Sequence, residues 1–143
     1  MDDLNAQTDD EVLNQAGLLI DEAADTQNAA PNEQALALLN CLEERDSLTE
    51  EQRVVLHYFR ANAHENRLAF AGEAQTWSWD VEHLRSVLLE LRTAVRNEAF
   101  AGLDPLRQCQ ILTNLGNKLN SIGRPVEAIG QWDRVLAIIP HFA

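Results

Sequence analysis

Apolar residues return at intervals of three and four through six separate segments of this chain, each bounded by turn or capping residues. That spacing is the face of an α-helix, and no segment offers the alternation of a strand. A domain built this way must bury six stripes against one another, so the fold class it predicts is all-α. A length of 143 residues suits one ordinary core and hence one domain.

The caps locate the segments. Thr8 or Asp9 opens the first helix, whose stripe is Val12, Leu13, Ala16, Leu19, Ile20 and Ala23, ending about Gln27. Pro31 stands where a first-turn proline is tolerated, ahead of Ala35, Leu38, Leu39 and Leu42 in a second helix reaching about Arg45. Thr49 followed by Gln52 is a capping box for a third helix that continues through Val54, Tyr58 and Leu68 to about Phe70. The run 71–79 breaks the pattern and reads as a connection carrying Trp77 and Trp79, which either fold over the helices they join or form an aromatic contact patch. Asp80 is the expected cap of a fourth helix with Val81, Leu84, Val87, Leu88, Leu91 and Val95 inward, ending near Gly102. Asp104-Pro105 is a cap followed by proline at the first helical position, and it opens a fifth helix to Ser121. A sixth runs from about Arg124 to Ile139. The six form three antiparallel hairpins, about 8–46, 49–102 and 104–140.

The last hairpin carries the most specific spacing. With Cys109 as position 1, Leu112, Leu115, Gly116, Leu119, Gly123, Ala128, Ile129, Trp132, Val135, Leu136 and Pro140 fall at positions 4, 7, 8, 11, 15, 20, 21, 24, 27, 28 and 32. This closely resembles the tetratricopeptide repeat, a 34-residue helix-turn-helix unit. Leu112, Leu119, Trp132 and Val135 depart from its usual residues but keep each site apolar. The two earlier hairpins are repeat-like only: Ala61-Asn62 echoes Gly116-Asn117, and Ala35, Leu39 and Leu42 echo positions 20, 24 and 27. The resemblance implies a right-handed superhelical stack of the three hairpins. Gly116 and Ala128 would mark the close approach of two helices, Gly123 would end the first in a left-handed conformation, and Trp132 would fill the space toward the neighbouring pair.

Charge narrows the partners. Residues 1–52 hold 14 acids against Arg45 alone, a net charge of −13, whereas the remainder carries 9 acids and 10 bases. An amino-terminal third of that sign repels phosphate, so nucleic acid is not an expected partner. No apolar run approaches the length of a membrane span, and the acidic start MDDLNAQTDDE has no export-signal pattern. Cys41 and Cys109 read as small core hydrophobes, which agrees with a reducing cytoplasm.

Catalytic and metal constellations are not expected. His57 and His64 are two helical turns apart, too far to share one ion unaided, and His64-Glu65-Asn66-Arg67-Leu68 lacks the second histidine of a zinc-protease helix. Arg53 with His57, and Arg60 with His64, are spaced one residue too closely for the Arg-to-His motif of HEPN ribonucleases, which some bacterial proteins place after such repeats. The reading is therefore a protein that is not an enzyme and takes no cofactor or metal.

What the repeat resemblance does imply is a protein or peptide partner on a concave face lined by the first helix of each unit. Those positions are Gln110, Thr113, Asn114, Asn117, Asn120 and Ser121 in the last unit, and Val55, Tyr58, Phe59, Asn62, Glu65 and Asn66 in the third helix. The expected binding residues are Tyr58, Asn62, Asn66, Gln110, Asn114 and Asn117, because a carboxamide both donates to and accepts from an extended backbone. The stripe Ile129, Trp132, Leu136 and Ile139 is an expected oligomer or capping edge, to be covered by further repeats, a second copy or a partner. A second reading makes the chain a regulatory or sensor segment of a larger enzyme. A third places a small molecule between the hairpins.

Overall fold

A computed structural model of the chain describes residues 7–71 and 82–139. It contains helices α1 (Asp9–Thr26), α2 (Ala29–Glu43), α3 (Glu50–Phe70), α4 (Glu82–Arg96), α5 (Pro105–Ser121) and α6 (Pro125–Ile138), with a 3₁₀ turn at Glu98–Gly102. The fold is all-α, with no strand among the described residues.

The caps act as the sequence requires. Thr8 accepts from the Glu11 N–H at 3.2 Å. Both arms of the Thr49/Gln52 capping box form, at 3.1 and 2.9 Å. Asp104 accepts from the Leu106 N–H at 2.9 Å with Pro105 in the first turn behind it. Between α5 and α6, Gly123 takes φ 82°, a conformation that other residues adopt only at a cost. Its neighbour Arg124 then donates to the Leu119 carbonyl at 2.9 Å, closing the end of α5.

Consecutive helices pack in pairs, α1 with α2, α3 with α4, α5 with α6, and the pairs join where α3 meets α1 and α2 and where α4 meets α5. Two apolar clusters result. One gathers Val12, Leu13, Ala16, Ile20, Ala35, Leu36, Leu39, Leu42 and Leu56, and the other Val54, Tyr58, Ala61, Val87, Leu91, Ile111, Leu112, Leu115, Leu119 and Ala128. Val55 and Phe59 of α3 pack against both, so α3 is the central rod. Burying each fully enclosed leucine stabilises the fold by about 2 kcal/mol.

Polar ties fix the register around α3. Arg60 pairs with Glu43 of α2 at 2.6 Å and with Glu90 of α4 at 2.8 Å, and Glu90 also meets His57 at 2.6 Å. Asn32 of α2 is completely enclosed; it donates to the Ala63 carbonyl at 3.0 Å and accepts from Asn66 at 2.9 Å.

Four expectations are corrected. Cys41 is exposed and Cys109 only half-buried, because each stands two positions from its helix's inward residue, Leu39 or Ile111. The fourth helix stops at Arg96, where Asn97 accepts from the Ala99 N–H at 2.9 Å and restarts the chain as a 3₁₀ turn that buries Phe100. The room at Gly116 is filled by a side chain: a Cβ there would stand 2.4 Å from Nε1 of Trp132, closer than to any atom of Ala128. Trp132, expected on the open edge, is accordingly half-buried against Gly116 and the cluster that the α3–α4 and α5–α6 pairs share. Trp77, Trp79, the Asp80 cap, Val81 and Pro140 lie outside the described residues. No described helix is long and apolar enough to cross a membrane.

Candidate functional site

The first, third and fifth helices share one groove. Asn14, Gly17, Leu18, Ile20 and Asp21 of α1, Tyr58, Phe59 and Asn62 of α3, and Arg107 and Gln110 of α5 line a space of about 480 Å³. Gly17 lets α1 close on α3 at this point: it lies against the Phe59 ring, whose nearest carbon is 3.1 Å from where a Cβ would stand.

Its floor is aromatic and its rim polar. Tyr58 is buried, with its ring centroid 5.9 Å from that of Phe59. The Arg107 guanidinium sits over both rings, 5.4 Å from the Tyr58 centroid and 5.3 Å from that of Phe59, and also donates to Gln110 at 3.1 Å. This cation–π stacking holds a positive charge at the α5 side of the groove, opposite Asp21 of α1.

Asn62 belongs to this groove and to a second cavity beside it, of about 210 Å³ between α3, α4 and α5. Ala61, Val87 and Leu91 form the apolar part of that cavity, and Asn114, Asn117, Ser121, Lys118 and Glu65 complete the polar part. Lys118 pairs with Glu65 Oε1 at 2.8 Å, while Glu65 Oε2 is enclosed without a hydrogen-bond partner among the described residues. The Asn114 carboxamide donates over long distances to the Tyr58 hydroxyl, 3.4 Å, and to Asn62 Oδ1, 3.5 Å. Bonds this long are weak, so the two carboxamides can turn toward a ligand at little cost.

Five of the six expected binding residues thus come together: Tyr58, Asn62 and Gln110 in the groove, and Asn114 and Asn117 in the adjoining cavity. Asn66 does not join them. Its amide donates to the Ile20 carbonyl at 3.1 Å and to Asn32, sewing α1, α2 and α3 together, and it borders a different pocket with Gln27 and Phe70. Arg107 was absent from the expectation. Its only sequence signal is its place one turn before Gln110 and Ile111, which puts it on the same flank of α5 as the carboxamides.

Among the described residues the histidines form no centre. His57 is taken by Glu90, and among the described residues no group of three or more His, Cys, Asp or Glu side chains could hold an ion. His64 is half-buried on α3 with Nδ1 unpartnered among the described residues; burial pushes its pKa below the ordinary value, and Arg67 pushes the same way. Comparison of the chain with family models, curated proteins and solved structures finds no match.

Proposed function

We propose that this chain is a non-catalytic protein-interaction module, a tetratricopeptide-like superhelical stack of three hairpins that holds an extended peptide along the groove of α1, α3 and α5. The observation that carries the reading is the meeting of Asn62, Asn114, Tyr58 and Arg107, drawn from two helices far apart in sequence, at two adjoining openings that share Asn62.

Each part suits a peptide. Carboxamides match the alternating N–H and C=O of a strand-like backbone. The exposed Leu18 on the α1 side of the groove accepts an apolar side chain. Glu65 Oε2 offers an acceptor to an N–H donor entering the smaller cavity. Arg107 and Asp21, on opposite rims, give the groove a polarity that selects chain direction.

Selection of a displayed random-peptide library on the purified chain tests this. The expected result is a family of related sequences whose affinity falls about tenfold with Asn62→Ala, a loss of about 1.4 kcal/mol. Selected peptides that bind Asn62→Ala, Asn114→Ala and Arg107→Ala as tightly as the parent would refute the groove.

A further inference from the structure

Helix α6 leaves one side bare. Val126, Ile129, Leu136 and Ile139 are 81, 51, 62 and 48% exposed, although α6 buries Ala128 and packs Trp132, Val135 and Ile138 against the core. Their successive separations are three, seven and three residues, so the pattern reads the same from either end, about a midpoint between Trp132 and Asp133. Gly130 and Ala137 flank it and add little bulk, with nothing within 4 Å of where a Gly130 Cβ would stand.

From this palindromic stripe we infer that α6 is the two-fold interface of a homodimer, packed antiparallel on α6 of a second copy. An isologous contact needs a surface complementary to itself under reversal. In the antiparallel arrangement Val126 of one copy meets Ile139 of the other, and Ile129 meets Leu136, twice over. A foreign partner would impose no such symmetry.

Charge points the same way. Ten of the fourteen acids within residues 1–52 fall between Asp9 and Asp46, on α1, α2 and the turn after them, and the packing partners of α1 and α2 are one another and α3. Self-association there would oppose two strongly negative surfaces. Helix α6 carries Glu127 and Asp133 against Arg134, with Arg124 at its cap, and is neutral in sum. Pairing through it does not bring α1 or α2 of one copy into the contact, and repulsion between exposed charges fades beyond a Debye length of about 8 Å at physiological salt. One helix face is a small interface, so the dimer forms at about tens of micromolar rather than nanomolar. Asp133, beside the midpoint, faces its own copy across the axis and weakens the pair.

Sedimentation velocity over about 5 to 500 µM chain tests the inference. The expected result is a shift from the 16.0 kDa monomer toward twice that mass as concentration rises. Leu136→Glu and, separately, Ile129→Glu keep the chain monomeric throughout with unchanged circular dichroism, both sites being open to solvent. Asp133→Asn lowers the midpoint concentration severalfold, whereas a basic foreign partner would be lost with that substitution. A chain that stays monomeric at every concentration, a dimer indifferent to both glutamates, or one weakened by Asp133→Asn overturns it.

Discussion

Asn62 and Asn66 are one helical turn apart on α3 and do different work. Asn66 spends its amide on the Ile20 carbonyl and Asn32, whereas Asn62 borders two open spaces and accepts one long hydrogen bond. Asn66→Ala is therefore expected to cost about 1–2 kcal/mol in urea unfolding and to leave peptide affinity alone. Asn62→Ala is expected to do the reverse. Asn32→Ala, which opens an enclosed gap and removes both the extra bond to the Ala63 carbonyl and the acceptor of Asn66, is expected to cost about 2–4 kcal/mol in the same unfolding experiment. The sequence put Asn62 and Asn66 alike on the concave-face positions of the third helix and gave no reading of Asn32. It could not say which carboxamides find partners, because those partners are backbone carbonyls of helices more than thirty positions away.

At the scale of elements, helix ends were legible because caps are local chemistry: Thr8, Thr49, Asp104, Pro105 and Gly123 all stand where their residue types predict. The end of α4 was not, since Phe100 prolongs an apolar rhythm that the Asn97 cap interrupts. Gly116 and Gly130 offer a matched test within the α5–α6 pair. Alanine is favoured over glycine inside helices by about 1 kcal/mol. Gly130→Ala, in open space, is expected to raise stability by about that amount. Gly116→Ala must displace the Trp132 indole and is expected to lose about 1–2 kcal/mol net, overpacking outweighing propensity. Thermal denaturation of the two variants checks both signs. The α3–α4 seam adds a pH dependence. His64 has a depressed pKa when folded, so the unfolded chain binds more protons below pH about 6.5, and stability falls as pH drops through that value toward the folded pKa. His64→Gln should remove that part of the slope, read as the difference between the two chains' unfolding midpoints at pH 7.5 and 5.5.

For the whole molecule, the groove is a product of stacking order. Residues from α1, α3 and α5 line it, three helices that periodicity alone does not bring together. The repeat spacing at 109–140 supplied the expectation for α5, and the echo at Ala61-Asn62 extended it to α3, which is why Tyr58, Asn62 and Gln110 at the groove and Asn114 and Asn117 at the adjoining cavity could be named from the sequence. The contribution of α1 through Gly17 and Asp21 had no such signal. Amide chemical-shift mapping with a library-selected peptide tests the central claim most directly. The account expects the largest shifts at Gly17, Phe59, Asn62, Arg107 and Asn114, and little change along the outer sides of α2 and α4. Shifts concentrated on those outer sides or on α6, with the groove silent, would contradict it.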